Sequence, residues 1–188
     1  MAHDPHQLPS SLQKPVDDGA CDHLIGLSMP DVRLLSTSGE FLGLREVTRG
    51  SVLIYVYPRT GLHGVEMPAG WDAIPGARGC TPQSCSYRDD YSAFQELGVD
   101  VYGLSTQSTE GQREFTAREH IPFPLLSDPH REFGSMLHLP TFTAGGDVLY
   151  RRVTLIIEAG EIVYVRYPVS PPNTDAHVTL AWLRSRRE

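Results

Sequence analysis

A near-continuous apolar run, Ser51 to Tyr57 (SVLIYVY), constrains the fold of this chain more than any other sequence feature. The run is short and rich in β-branched and aromatic residues, a composition typical of a strand that is buried on both faces. We therefore expect this segment to be a central strand of a sheet inside the protein.

Further strands and helices alternate after this run. The predicted strands are Val99–Ser105, a short one around Pro124–Ser127, and the pair Thr154–Glu158 and Ile162–Arg166 around an Ala-Gly turn, with an earlier hairpin in Asp31–Leu44. The predicted helices are Gln83–Leu97, Thr109–His120 with Thr109 as its cap, Arg131–Leu137, and a last one from about Thr174. Single helices between strands imply right-handed crossovers and a partly parallel sheet. The pattern favours an α/β domain of three layers.

The length, net charge and hydrophobic pattern of the chain limit its domain organisation and the classes of partner it can bind. A length of 188 residues predicts one domain plus a tail, and we expect a flexible tail over 1–20 and the domain over 21–188. The net charge of −7 argues against nucleic acid or an anionic membrane as partner. No stretch approaches the ~20 apolar residues of a membrane span, and the N-terminus lacks the pattern of a secretory signal. We therefore expect a cytoplasmic protein.

Two of the three cysteines lie close together, in the segment GCTPQSCSYRD. Thr81 and Pro82 suit the N-cap and first position of a helix, which places Cys80 just before the first turn. Free backbone N–H groups and the positive dipole end stabilise a thiolate there. The third cysteine, Cys21, stands alone in a polar stretch, and we expect it to be exposed and incidental.

The spacing of Cys80 and Cys85 is unsuited to a permanent structural disulfide. Residues five apart on an intact helix have Cα atoms about 8.7 Å apart, whereas a disulfide rarely tolerates more than ~7 Å. A switching redox pair is therefore one interpretation, and two buried small side chains are an equally weighted alternative. A metal site is a weaker interpretation, because no second matching pair and no histidine doublet with zinc-ligand spacing accompany the cysteines.

The run GCTPQSCSYRDDYSAFQELGVDVYGLST resembles the peroxiredoxin superfamily, especially its Q-type, bacterioferritin-comigratory-like group. The segments FPLLSD, RVTLIIEAGEIVYVRY and NTDAHVTLAWL extend the similarity over roughly Leu24–Arg184. The resemblance implies a thioredoxin-like three-layer sandwich, in which a central mixed sheet carries helices on both faces.

The same resemblance implies roles for individual residues. Cys80 matches the peroxidatic cysteine, Cys85 the resolving cysteine five residues later, and Arg152 the arginine that contacts the active site. The family motif Pro-x-x-x-Thr/Ser-x-x-Cys is not intact, since alanines stand at its proline and hydroxyl positions. Pro58 and Thr60 are the substrate-binding candidates in its place, because an inserted loop at about 62–77 splits the motif.

The implied activity is that of a thiol-dependent peroxidase in antioxidant defence. Cys80 would reduce hydrogen peroxide or an organic hydroperoxide, and a Cys80–Cys85 disulfide would be recycled by thioredoxin or a glutaredoxin-like protein. No metal, haem or flavin cofactor is implied, and we expect a monomer or weak dimer. Two alternatives remain open: a thioredoxin-like disulfide oxidoreductase, although C-x4-C differs from C-x-x-C, and a redox-sensing binding protein on the same fold.

Overall fold

The computed structural model describes residues 4–10 and 12–187. The strands in the described chain are β1 (Arg33–Ser36), β2 (Phe41–Gly43), β3 (Ser51–Val56), β4 (Val99–Ser105), β5 (Leu125–Ser127), β6 (Thr141–Ala144), β7 (Asp147–Tyr150), β8 (Val153–Glu158) and β9 (Glu161–Arg166). The helices are α1 (Leu44–Val47), α2 (Cys80–Asp89), α3 (Tyr91–Glu96), α4 (Thr109–Glu119), α5 (Glu132–Met136) and α6 (Asp175–Ser185).

Seven of these strands form one mixed sheet in the order β2-β1-β5-β4-β3-β8-β9. Strands β3, β4 and β5 run parallel, whereas β8 pairs antiparallel with β3 on one side and with β9 on the other. The prediction that Ser51–Tyr57 is a central strand is confirmed. The remaining strands, β6 and β7, form a separate two-stranded ribbon that the sequence patterns did not predict.

Alternate side chains of β3 enter different cores, as expected for a strand covered on both faces. Val52 and Ile54 belong to the core that also contains residues of α1 and α5. Leu53 and Tyr55 belong to the core that contains residues of α2, α3, α4 and α6. Helices therefore cover both faces of the sheet, and the predicted three-layer α/β architecture is confirmed.

Two predicted helix caps were wrong. The helix that carries both cysteines begins at Cys80 with Gly79 as its N-cap, not at Pro82 with Thr81 as cap. Gly79 adopts φ 109°, a left-handed conformation that glycine adopts without strain. The cap of α4 is Ser108 and not Thr109, because the Ser108 hydroxyl accepts a hydrogen bond from the Gly111 N–H at 3.2 Å.

The predicted helix Gln83–Leu97 is divided in the structure. Asp90, at φ −95° and ψ 5°, separates α2 from α3. Tyr87 of α2 and Phe94 of α3 still face the same core, with ring centroids 5.7 Å apart. The division therefore leaves the predicted apolar face intact.

The segment predicted as an inserted loop contains one short 3-10 turn, Trp71–Ala73. Trp71 and Ala77 are buried in a small core with Ala144 and Leu149 of the two-stranded ribbon. The segment is thus anchored against β6 and β7, immediately before α2. No helix in residues 4–10 and 12–187 is long and apolar enough to cross a membrane.

Candidate active site

Cys80 lies at the first residue of α2, and its local backbone depends on Gly79. A Cβ on Gly79 would lie 2.4 Å from Cγ of Pro172 and 3.0 Å from Cδ2 of Leu8, so a larger residue does not fit there. Cys80 is buried, with 4% of its surface exposed. Because the first N–H groups of a helix lack partners within the helix, they favour a negative charge at this sulfur.

The Arg152 guanidinium reaches the same sulfur. Its Nη2 lies 3.3 Å from Cys80 Sγ, and the arginine itself is only 3% exposed. Nη2 also donates to the backbone oxygens of Gly76 and Ala77, both at 3.3 Å. A buried cation beside a buried sulfur stabilises the thiolate more than it would in water, because the surrounding dielectric is low.

The end of the segment predicted as an inserted loop therefore helps to build the site. The carbonyls of Gly76, Ala77 and Arg78 all accept from Arg152 and so fix the plane of its guanidinium. When Cys80 is protonated, its thiol also donates to the Ala77 oxygen, at 3.6 Å. Arg152 Nε is buried and has no acceptor among the described residues.

A buried polar network continues from Arg152 into the core. Arg152 Nη1 donates to the Gln83 side-chain oxygen, and Gln83 Nε2 donates to Asp175 Oδ2 at 2.7 Å. Tyr87 and Thr154 donate to the same carboxylate oxygen at 2.8 and 2.6 Å, and Arg166 donates to the other at 2.9 Å. Sequence reasoning missed Gln83 and Asp175, because they are 92 residues apart and match no motif.

We expect Gln83→Leu to lower both stability and activity. The leucine leaves the buried Arg152 Nη1 donor without its partner, which costs about 1–3 kcal/mol, and removes one of the three donors to Asp175 Oδ2. A loosened Arg152 should also slow the reaction at Cys80. Thermal unfolding and peroxide consumption check this, with Gln95→Leu on the exposed side of α3 as control. Equal unfolding midpoints and equal rates for the two variants would contradict the network's role.

Cys85 lies one and a half turns further along α2 and faces α4. Its Sγ is 3.9 Å from Glu119 Oε2. Burial raises the pKa of the Cys85 thiol, and the Glu119 carboxylate adds to the increase while Arg88 opposes it. All three cysteines are free thiols in this structure. Because Cys80 and Cys85 share one continuous helix, they have the helical separation that forbids a disulfide.

Thr60 and Pro58 are both buried beyond the end of β3. The Thr60 backbone N–H and hydroxyl both donate to Gln107 Oε1, at 2.8 and 3.0 Å, and Gln107 Nε2 donates back to the Thr60 oxygen at 3.1 Å. The Thr60 hydroxyl proton is therefore used within this pair. A substrate-binding role for Thr60 and Pro58 stays a prediction.

The expectation that Cys21 is exposed was wrong. Cys21 is 2% exposed and packs in the core on the α5 side of the sheet. Burial raises the pKa of its thiol to about 12, and the acidic residues Asp18, Asp17 and Asp22 contribute to the increase. A buried, protonated thiol is a poor nucleophile, so Cys21 is not a candidate for a reactive cysteine.

Comparison with protein families gives one clear match. The family model described as Redoxin matches residues 25–181. The curated relatives include peroxiredoxin bcp1 of Schizosaccharomyces pombe, 31% identical over 150 residues that cover 78% of this chain and 68% of the relative. Another is the chloroplastic peroxiredoxin Q of Sedum lineare, 28% identical over 142 residues that cover 76% of this chain and 67% of the relative.

Solved structures with the same fold include peroxidoxin BcpB from Mycobacterium tuberculosis. It has a TM-score of 0.70 at 23% identity, over 87% of this chain and 98% of the neighbour. Xanthomonas campestris peroxiredoxin Q has a TM-score of 0.66 at 19% identity, over 94% of this chain and 99% of the neighbour. These similarities show the arrangement of the sheet and helices, which is the predicted thioredoxin-like one.

Proposed function

This chain belongs to the Redoxin family as a Q-type peroxiredoxin, a thiol-dependent peroxidase, and we propose that Cys80 is its peroxidatic cysteine, Arg152 its activating cation and Cys85 its resolving cysteine. The observation that carries this assignment is the 3.3 Å contact between Cys80 Sγ and the buried Arg152 guanidinium at the start of the helix that also contains Cys85.

In the first step the Cys80 thiolate attacks one oxygen of the hydroperoxide. The O–O bond breaks, the sulfur is oxidised to a sulfenic acid, and the departing oxygen takes up a proton to leave as water or an alcohol. Arg152 favours the thiolate through Nη2, and its buried Nε–H is available as a donor to a peroxide oxygen. Such fixed donors stabilise the charge that develops on the leaving oxygen.

In the second step the Cys85 thiolate attacks the Cys80 sulfur, the S–S bond forms, and hydroxide leaves and is protonated to water. The first turns of α2 must open to bring the sulfurs together. Opening breaks helical hydrogen bonds worth roughly 1 kcal/mol each, among them that from Gln83 N–H to the Gly79 oxygen. Opening of the helix also separates Gln83 from Arg152. Disulfide formation therefore breaks the hydrogen bond that positions Arg152 for the first step.

A thioredoxin-type dithiol would then reduce the Cys80–Cys85 disulfide by thiol–disulfide exchange. A coupled assay with NADPH, thioredoxin reductase and thioredoxin tests this reductant, with hydrogen peroxide and an alkyl hydroperoxide as substrates. We expect peroxide-dependent NADPH oxidation. Insulin reduction without peroxide turnover would instead support the alternative of a disulfide oxidoreductase.

Changing Cys85 to serine should separate the two steps. We expect Cys85→Ser to consume one equivalent of peroxide per chain at the parent rate, because Cys80 and Arg152 are untouched. Recycling by thioredoxin should stall, and with peroxide in excess a second, slower equivalent should oxidise the sulfenic acid to a sulfinic acid. Single-turnover peroxide consumption and mass spectrometry of the Cys80 peptide check both parts. Undiminished steady-state turnover with thioredoxin would show that Cys85 is not the resolving residue.

We further propose that residues 21–188 form one catalytic domain with the insertion at 62–77. Support comes from the carbonyls of Gly76 and Ala77, which hold Arg152, and from the packing of Trp71 against the β6–β7 ribbon. The last residues of the insertion then hold Arg152 in the active site. Trp71 fixes the insertion against the ribbon.

A further inference from the structure

Three side chains from distant parts of the chain meet beside the second turn of α2. They are Cys85 of α2, Glu119 at the end of α4 and His6 of the N-terminal segment. Their sulfur, oxygen and nitrogen atoms all lie within 4.8 Å of one another. Glu119 Oε2 is central, 3.9 Å from Cys85 Sγ and 3.5 Å from His6 Nε2. We propose that His6, Cys85 and Glu119 form a binding site for Zn²⁺ or a similar divalent transition metal.

The donor atoms have the chemistry and spacing that zinc requires. Thiolate, imidazole and carboxylate are its protein ligands, with bonds of about 2.3 Å to sulfur and about 2.0–2.2 Å to nitrogen and oxygen. Tetrahedral angles at those bond lengths put the donor atoms roughly 3.4–3.6 Å apart. The separations of 3.9 Å from Glu119 Oε2 to Cys85 Sγ and 3.5 Å from Oε2 to His6 Nε2 are within a few tenths of an ångström of that range, and Sγ and Nε2 lie within 4.8 Å of each other. Small side-chain rotations therefore complete the three-ligand set.

The groups around the site orient its ligands. Arg118 Nε donates to the other Glu119 oxygen at 3.2 Å, and Arg88 Nη1 donates to the Glu119 backbone oxygen at 2.7 Å. These contacts leave Oε2 facing Cys85 and His6, as the outer partners of metal ligands do. The segment that carries His6 is held independently, because Arg78 Nη2 donates to the Asp4 and Gln7 oxygens, both at 3.3 Å.

The exposure of the ligands leaves room for a fourth one. Cys85 and Glu119 are buried, whereas the side chain of His6 is 52% exposed. Three protein ligands with one side open to solvent match a zinc ion that completes its coordination with water. Cys80 faces Arg152 and is not among the three ligands, so a metal at this site leaves the peroxidatic sulfur free.

A metal at this position would withhold Cys85 from the disulfide. The Cys85 sulfur gives its proton to solvent and bonds to the metal, and the metal ties α2 to α4 and to the N-terminal segment. Disulfide formation then requires the sulfur–metal bond to break and the metal to leave. This consequence rests on the proposed resolving role of Cys85, whereas the metal site itself does not.

Cobalt binding tests the site directly. The reduced full-length protein, kept in a phosphine reductant that binds metals weakly, is titrated with Co²⁺ while thiolate-to-cobalt absorption is recorded. We expect saturation at one equivalent and displacement by Zn²⁺. The band should persist in Cys80→Ser and vanish in Cys85→Ser. His6→Ala and Glu119→Gln should weaken binding by at least ~10-fold, and His177→Ala on the exposed face of α6 should not.

The outcomes distinguish failure of the metal site from failure of the proposed effect of the metal on disulfide formation. Absence of the band, its loss only in Cys80→Ser, or binding indifferent to His6→Ala and Glu119→Gln would overturn the proposed site. If the site holds, one equivalent of Zn²⁺ should slow disulfide formation after peroxide addition without slowing the first consumption of peroxide. A metal bound through Cys85, together with a disulfide from Cys80 to another cysteine that forms at an unchanged rate, would contradict the resolving role of Cys85 and leave the metal site standing.

Discussion

Replacing Cys80 with serine is expected to reduce peroxidase turnover to the rate of the peroxide and reductant without enzyme. A serine hydroxyl is not ionised near neutral pH and forms no sulfenic acid, so neither step of the cycle can occur. The coupled thioredoxin assay measures the loss. Cys21→Ala is the matched control, because Cys21 is also buried and has no contact with Arg152 among the described hydrogen bonds. Turnover of Cys80→Ser near the parent rate would refute the assignment of the nucleophile.

The fold of Cys80→Ser should survive. The substitution is nearly isosteric, and the main contacts of α2, through Gln83 and Tyr87, do not involve the sulfur. Circular dichroism and thermal unfolding of the variant check this point. An inactive variant that also fails to fold would be replaced by Cys80→Ala for the same comparison.

Replacing Arg152 with alanine should have the second largest effect. The variant loses the cation 3.3 Å from Cys80 Sγ and the donors that face the developing charge. Removal of such fixed donors costs about 10²–10³-fold in rate. We expect a loss of that order in the second-order rate of peroxide consumption.

Two neighbouring variants make the Arg152 result specific. Arg152→Lys keeps the charge but loses the planar fork that bonds to both Gln83 and the Ala77 carbonyl, so its rate should fall between those of the parent and the alanine variant. Arg151→Ala is the control, since the Arg151 guanidinium lies over the Phe142 ring, 6.0 Å from its centroid, and not at the sulfur. Equal rates for Arg151→Ala and Arg152→Ala would contradict the role of Arg152.

Much of the fold is predictable from local patterns, because those patterns report burial. The apolar run at Ser51–Tyr57 predicts a central strand, and Val99–Ser105 is predicted with the bounds that the structure has. Capping is less predictable. Thr81-Pro82 resembles a helix start, but the helix begins at Cys80, since Gly79 supplies the left-handed turn.

The chemistry of the site is predictable only where it is local or shared with a family. The Cys80–Cys85 spacing is visible in the sequence, and Arg152 follows from the resemblance alone. Gln83 and Asp175 meet only because α2 packs against α6. Long-range contacts of this kind leave no periodicity or motif in a single sequence. The same reason explains why His6 and Glu119 were not expected beside Cys85, and why the burial of Cys21 was missed.

The most direct test of the central claim is peptide mapping after one equivalent of peroxide, under non-reducing conditions and with free thiols alkylated. Trypsin cleaves after Arg78 and Arg88, so Cys80 and Cys85 fall in one fragment, 79–88. We expect this fragment to be unalkylated and two hydrogens lighter than its reduced form, which identifies a disulfide within one chain. A disulfide that joins the fragment to the Cys21 peptide, or to a second copy of itself, would contradict Cys80 and Cys85 as the redox pair.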